Sequence, residues 1–98
     1  MTYIPKPVDT SGVCLTNDLD ELVEYLAKNT HENWANERIK QGWRYGSQRN
    51  DINKEHPCLV AYEQLPESEK DHDRTIVKEL LRTILLRGFQ IEKAAGNG

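Results

Sequence analysis

Apolar residues recur with helical spacing in the first half of the chain. Four of them stand at positions i, i+3, i+4 and i+7: Leu19, Leu22, Val23 and Leu26. This spacing places them on one face of an amphipathic helix. Thr16 or Asn17 offers an N-cap at its start, and Gly42 suits the position just after its end. The pattern predicts a helix over residues 17–41.

A second helical stripe lies in the last third of the chain and consists of six residues: Ile76, Val77, Leu80, Leu81, Ile84 and Leu85. Pro66 stands where helices often begin, because a missing N–H costs nothing in the first turn. Gly88 stands where a helix stops. The pattern predicts a second helix over residues 66–88.

The residues before the first helix cannot be helical. Pro5 and Pro7 hold the residues in front of them in extended geometry. We therefore predict an extended arm over residues 1–16. We expect three residues to anchor this arm on the domain: Tyr3, Val13 and Leu15.

The remaining segments contain only short apolar runs. Residues 43–45 alternate and residues 58–62 are apolar, which indicates two short β-strands or a small hairpin within a loop over residues 42–64. Residues 89–98 are predicted to form a short strand and a tail. The predicted fold class is therefore mainly α with a minor β part, in a single domain. It has two principal amphipathic helices, an extended N-terminal arm and short strands or a hairpin.

The composition excludes several classes of protein. No window of the sequence approaches the ~20 consecutive apolar residues that a membrane span requires. The first residues also lack the apolar segment of a secretory signal. Cys14 and Cys58 form neither a metal-binding spacing nor a disulfide framework, so we interpret both as reduced thiols and expect a cytoplasmic protein. The net charge of -3 argues against nucleic acid as a partner.

One segment departs from this acidic balance. Residues 38–54, which we call the cationic segment, carry five basic residues and one acidic residue. In one interpretation the arginines simply neutralise the acidic residues that flank them. In the other they bind phosphate oxygens, and an aromatic ring stacks on a flat ligand. The candidate ligand-binding residues are then Arg38, Trp43, Arg44, Tyr45 and Arg49.

No catalytic or metal-binding motif is complete. His31 begins the helical zinc-protease motif, but the position of its second histidine holds Ala35. The histidines have no spacing typical of a triad, so we predict a protein that is not an enzyme and holds no metal or cofactor. We interpret His31 and His56 as hydrogen-bonded structural residues. For Trp34 and Trp43 we favour packing over ligand stacking.

Five separated stretches together resemble the RyR domain: PKPVDTSGV at residues 5–13, HENWA at 31–35, GWRYG at 42–46, HPCLV at 56–60 and LPE at 65–67. They occur in the same order and with similar spacing. The RyR domain is the repeat found in pairs in the cytoplasmic shell of ryanodine receptors, and singly in bacterial and phage proteins. This chain is similar to the single-repeat bacterial or phage type.

The resemblance implies a compact, mainly helical module and no channel activity, since the chain has no membrane span to conduct ions. Two functions stay open. The first is a non-catalytic interaction or ligand-sensing module for an anionic, nucleotide-like small molecule, because receptor repeats are associated with adenine nucleotides. The second is a purely structural protein-interaction module that forms a homodimer without a small-molecule ligand, because receptor repeats are paired.

Overall fold

Two long helices account for about half of the structure, a computed structural model that describes residues 2–94. The elements follow in the order α1 (Asn17–Lys40), β1 (Arg44–Tyr45), β2 (Glu55–His56), a 3-10 helix (Tyr62–Gln64) and α2 (Glu67–Leu86). The predicted mainly α class with a minor β part is confirmed.

Both helices begin and end at residues with the expected chemistry. Thr16 is the N-cap of α1, and its side-chain oxygen accepts a hydrogen bond of 3.3 Å from the N–H of Leu19. Gly42 and Gly88 follow the two helices with φ of 92° and 93°, in the left-handed region that favours glycine. Pro66 is the N-cap of α2, so the helix starts one residue after the predicted position.

The core lies where the two helices meet the 3-10 helix. Its buried residues are Val23, Ala27, Tyr62, Leu65, Val77 and Leu81. Partly buried apolar side chains pack around this cluster, among them Leu15 from the arm and Cys58 from the loop. Burial of these side chains stabilises the fold by removing apolar surface from water.

A polar cluster also joins the helices, and we call it the carboxylate junction: Glu24, Tyr62, Glu67, Asp71 and Arg74. The Arg74 guanidinium donates to Glu24 at 2.6 and 2.9 Å, to Asp71 at 2.7 Å and to Glu67 at 3.1 Å. The Tyr62 hydroxyl donates to Glu24 at 2.8 Å. Hydrogen bonds from Arg74, and then from Tyr62, lower the pKa of Glu24 to about 2.

The N-terminal arm is held by a residue that the sequence did not suggest. Thr10 is 6% exposed, and its hydroxyl donates a hydrogen bond of 2.6 Å to the Glu79 carboxylate on α2. Val13 and Leu15 are half-buried, as expected for anchors. The expectation for Tyr3 is wrong, because its side chain is 82% exposed. It lies beyond the two prolines, which keep this part of the arm extended.

The two short strands are parallel rather than a hairpin. Arg44 pairs with Glu55, and Tyr45 with His56. The second strand was predicted within the apolar run at residues 58–62. In the structure it lies just before that run. Asn50 and Glu55 exchange two backbone hydrogen bonds of 2.9 Å, so the chain turns here and returns beside β1.

A close backbone approach fixes this turn. A Cβ added to Gly46 would lie 2.6 Å from the Cβ of Glu55, so only glycine fits there without a shift. Lys54 then donates a hydrogen bond of 2.8 Å to the carbonyl of Gln41, just after the end of α1. The loop is thus tied back to the helix that precedes it.

The last described residues contain no strand. Residues 89–94 have no regular structure, so the short strand predicted from residue 89 is absent from this part, and residues 95–98 of the predicted tail lie outside the described residues. Within residues 2–94, neither helix combines the length and apolar character that a bilayer crossing needs. The cytoplasmic location stays a prediction.

Candidate functional site

A cavity of about 320 Å³ opens between α1, the end of β2 and the first half of α2. Its volume lies at the lower end of the ~300–1,000 Å³ typical of small-molecule sites. Residues far apart in the sequence line it, including His31 and Trp34 on α1, His56 on β2 and Asp73 on α2. The space exists only because the fold brings these three segments together.

One side of the cavity is aromatic, and we call its residues the aromatic wall: His31, Trp34 and His56. The rings of His31 and Trp34 have centroids 5.7 Å apart, and those of Trp34 and His56 meet edge to face at 5.0 Å. Trp34 is half-buried, so part of its ring system is accessible. A wall of this kind can stack on a flat ring.

Hydrogen bonds orient both histidines of the wall. The Nε2 of His31, which is 4% exposed, lies 2.7 Å from the Val60 carbonyl oxygen and donates to it. The Nδ1 of His56 accepts a hydrogen bond of 3.0 Å from the N–H of Cys58. Both histidines are hydrogen-bonded, as expected, and both also line the cavity.

The surroundings of His56 favour the neutral form of its ring. Burial lowers the pKa of His56, and the positive charges of Arg49 and Arg38 act in the same direction. Because Nδ1 accepts a hydrogen bond, the neutral ring carries its proton on Nε2. Loss of the positive charge leaves the ring better suited to stacking than to binding an anion.

The opposite side of the cavity is acidic. Glu69 and Asp73, both on α2, line it. Burial raises the pKa of Asp73, while His31 and His72 act in the opposite direction. Carboxylates accept hydrogen bonds and repel other anions, so this side favours N–H donors and disfavours phosphate.

The five predicted ligand-binding residues line neither this cavity nor three further cavities of the described residues. Arg44 is paired with Glu55 at 3.5 Å and Arg49 with Asp51 at 2.9 Å, and both side chains are largely exposed. Tyr45 is 57% exposed. Arg44 therefore faces an acidic residue that flanks the cationic segment, as the neutralisation interpretation expects, whereas Arg49 faces the one acidic residue inside that segment.

Arg38 and Trp43 both lie near His56 of the aromatic wall. The Trp43 ring meets that of His56 at 6.3 Å. Arg38 follows Trp34 by one turn of α1, and its positive charge acts on His56. The Nε of Arg38 is buried and has no hydrogen-bond partner within the described residues. A buried N–H donor without a partner costs stability.

The predicted site residues therefore lie in the neighbourhood of the cavity, but most of the lining was not predicted. For Trp34 packing was favoured, and no role was predicted for Glu69 and Asp73. The spacing of His31, Trp34 and Arg38 on one helix face was the available signal. This spacing points to a site only when the position of His56 against the same face of α1 is known.

No group of three histidine, cysteine or carboxylate side chains suited to a metal ion occurs in residues 2–94. Both cysteines are free thiols; Cys14 is exposed and Cys58 is half-buried. Burial raises the pKa of Cys58, which keeps this thiol protonated and unreactive.

Comparison with families of known proteins agrees with the resemblance seen in the motifs. The family model described as the RyR domain matches residues 3–93 of this chain. The matched region includes both helices, the two strands and every residue of the cavity.

Proposed function

This chain belongs to the RyR domain family, and on that premise we propose that it is a non-catalytic module that senses a nucleotide-like small molecule. A RyR domain is a protein-interaction or regulatory module, which sets the general role. The specific proposal is that the cavity holds the ring of the ligand and that the cationic segment holds its anionic part. The observation that carries it is a cavity lined by an aromatic wall and by two carboxylates, with Arg38 one turn of α1 beyond Trp34.

The ring of the ligand enters the cavity. Trp34 and His56 offer accessible aromatic surface, and stacking of a base on such a side chain contributes ~1–3 kcal/mol. Glu69 and Asp73 accept hydrogen bonds from exocyclic amino groups or protonated ring nitrogens. A ring that carries N–H donors, such as an aminopurine, therefore suits both sides of the cavity.

The anionic part of the ligand stays outside. Phosphate beside Glu69 and Asp73 would be repelled, so it must leave the cavity on the side of the aromatic wall. Arg38 lies on that side, and Arg44 can exchange its 3.5 Å contact with Glu55 for a phosphate oxygen. Guanidinium groups match the geometry of phosphate oxygens. This assignment keeps the predicted arginines but moves the stacking role from Trp43 and Tyr45 to Trp34.

Isothermal titration calorimetry with AMP, ADP, ATP and cyclic dinucleotides tests the proposal. We expect one of them to bind, and we expect adenosine and inorganic phosphate to bind more weakly than AMP, because each makes half of the contacts. Trp34→Leu should weaken binding about tenfold or more, because it removes the stacking surface. Tyr25→Leu is the matched control: Tyr25 is an aromatic residue of the same helix, 73% exposed and outside the cavity, and its loss should leave affinity unchanged.

The proposal would be overturned if no ligand of the panel bound the folded protein at about 1 mM, since even weak specific binding has a dissociation constant below that concentration. Unchanged affinity in Trp34→Leu, with circular dichroism showing an intact fold, would also overturn it. In that case the ring would bind at another surface.

The alternative is a structural module that forms a homodimer and has no small-molecule ligand. One observation favours it, namely the exposed apolar side chains along α2, where Ile76 is 47% and Leu80 is 61% exposed. Such apolar residues on a helix surface suit contact with another protein. Ligand sensing and homodimer formation are compatible with each other. The assignment of this chain to the single-repeat bacterial or phage type of the family stays a prediction.

A further inference from the structure

The helix α2 has three faces, and two of them are covered. One packs into the core through Val77 and Leu81. A second lies against the N-terminal arm, where Glu79 accepts the hydrogen bond from Thr10. The third face, which we call the open face of α2, exposes Ile76 and Leu80 to solvent and leaves Asp73 and Ile84 half-buried.

The open face of α2 is defined by five residues with helical spacing: Asp73, Ile76, Leu80, Ile84 and Arg87. Leu80 at its centre is 61% exposed, and Ile76 is 47% exposed. Beside it, Leu80, Ile84 and Phe89 line a hollow of about 380 Å³, and Phe89 is 65% exposed. So much apolar surface on a helix that already has a core face indicates an interaction site.

The sequence of the open face is complementary to itself when reversed. Leu80 is the midpoint, Ile76 and Ile84 lie one turn away on either side, and Asp73 and Arg87 lie two turns away. At ~1.5 Å per residue, both charged residues are about 10 Å from the centre. The face therefore reads acidic, apolar, apolar, apolar and basic, and its reversed copy presents the opposite charge at each end.

We propose that the open face of α2 docks onto the same face of a second copy of this chain, with the two helices antiparallel. Leu80 meets Leu80 of the second copy on the twofold axis, and each Ile76 enters the hollow beside Ile84 of the other copy. Asp73 of each copy then faces Arg87 of the other. Antiparallel helices also place opposite dipole ends together, which adds to the attraction.

Charge complementarity is the reason to choose a second copy as the occupant. A parallel arrangement would put Asp73 against Asp73, and Arg87 against Arg87, with a penalty at both ends. A foreign amphipathic helix needs only an apolar stripe and gives no reason for charges placed symmetrically about Leu80. The twofold arrangement explains both the apolar centre and the charged ends.

This interface specifies the homodimeric alternative, and it also reaches the cavity. Asp73 lines the cavity beside Trp34 and belongs to the open face as well. In the dimer, Arg87 of the second copy lies at this rim of the cavity. The coupling of pairing to ligand binding rests on the proposed function, whereas the interface itself does not.

Sedimentation equilibrium without ligand, from about 1 µM to about 1 mM protein, measures the association. We expect a monomer–dimer equilibrium, and we expect Leu80→Glu to weaken it about thirtyfold or more, because it places two like charges at the centre of the interface. Ile52→Glu is the matched control: Ile52 is 93% exposed in the loop, and its substitution should leave the dimer unchanged.

A charge exchange tests the antiparallel register. Asp73→Arg and Arg87→Asp should each weaken the dimer about tenfold, because each places like charges face to face. The double variant should recover most of the association, since it restores opposite charges in reversed positions. A second measurement, the thermal unfolding midpoint of each variant, verifies that the chain still folds.

A wild-type protein that is monomeric at every concentration would overturn the inference, and so would a dimer that persists in Leu80→Glu or is not restored in the double variant. These outcomes are separate from failure of the proposed function. A monomer that binds AMP overturns the interface alone. A dimer that binds none of the nucleotides overturns the ligand site alone.

Discussion

The carboxylate junction and the cavity beside Trp34 both lie between α1 and α2, but their charged groups have different surroundings. In the junction Arg74 contacts three carboxylates, and its hydrogen bonds lower the pKa of Glu24 to about 2. In the cavity burial raises the pKa of Asp73, and the Nε of Arg38, which lies outside the cavity one turn of α1 beyond Trp34, has no partner within the described residues. The junction pairs its charged groups with one another, whereas burial disfavours the charged form of Asp73 in the cavity.

This difference separates a structural region from a functional one. A satisfied network fixes the positions of its elements and leaves nothing to offer a ligand. Buried polar groups without partners cost stability, and they persist where binding uses them. The junction therefore holds the helices together, while the cavity between the same helices is the candidate site.

Arg74→Ala should lower stability more than removal of a cation that contacts a single exposed carboxylate. It leaves Glu24, Glu67 and Asp71 close together without their shared positive charge. The midpoint of urea unfolding should fall clearly below that of the wild type. Arg49→Ala is the control, because Arg49 contacts one exposed carboxylate only, and its loss should change the midpoint little. Equal midpoints for the two variants would remove the distinction between the junction and the surface.

His31→Leu should lower the free energy of unfolding by about 1–3 kcal/mol. The substitution keeps an apolar side chain in a buried position but leaves the Val60 carbonyl, 2.7 Å from Nε2, without its donor. Chemical denaturation measures the loss. A fully stable His31→Leu protein would mean that the hydrogen bond does not hold the aromatic wall in place.

Acid should weaken the junction. The pKa of Glu24 is lower in the folded chain, at about 2, than in the unfolded chain, where it is ~4.3. The stabilisation is therefore present above the unfolded value and is lost as pH falls through the folded one, from about pH 5 toward about pH 2. Unfolding free energies measured from pH 6 to pH 3 should decline in the wild type and decline less in Glu24→Gln. Identical slopes for the two proteins would contradict the contact.

The helices were predictable because their signal is local. The spacing of Leu19, Leu22, Val23 and Leu26 is contained within two turns, and Gly42 ends the helix through its own φ. The strands were predictable only in part. Residues 43–45 include β1, but the position of β2 depends on the return of the chain at Asn50 and on the close approach of Glu55 to Gly46.

The site was harder to predict from the sequence, because the number of charged residues in a segment does not show which of them form ion pairs. Arg44 and Arg49 raise the charge of the cationic segment, yet both face carboxylates of their own loop. Trp34 and Asp73 share no local pattern, since they come from different helices. Only the packing of α2 against α1 places a carboxylate opposite an aromatic ring, and that packing is a long-range property of the fold.

Arg38→Met should have the smallest effect on stability. The change removes a positive charge near the C-terminal end of α1, which costs ~0.3–1 kcal/mol, and it also removes a buried donor without a partner, which offsets that cost. The free energy of unfolding should change by less than about 1 kcal/mol. AMP affinity should nevertheless fall about tenfold, because a charge-assisted contact to phosphate is lost. Lys40→Gln removes a charge from the same turn and is the control. A large stability loss in Arg38→Met would make Arg38 structural, like Arg74.

The most direct test compares the two tryptophans in one nuclear magnetic resonance titration. Trp34 and Trp43 give separate indole N–H signals, which Trp34→Phe assigns. On addition of AMP to saturation, the Trp34 signal should shift strongly and the Trp43 signal should shift less, because Trp34 lines the cavity and Trp43 only meets His56 from outside it. A shift of Trp43 with Trp34 unmoved, or no shift of either signal at about 1 mM AMP, would contradict the assignment of this cavity as the binding site.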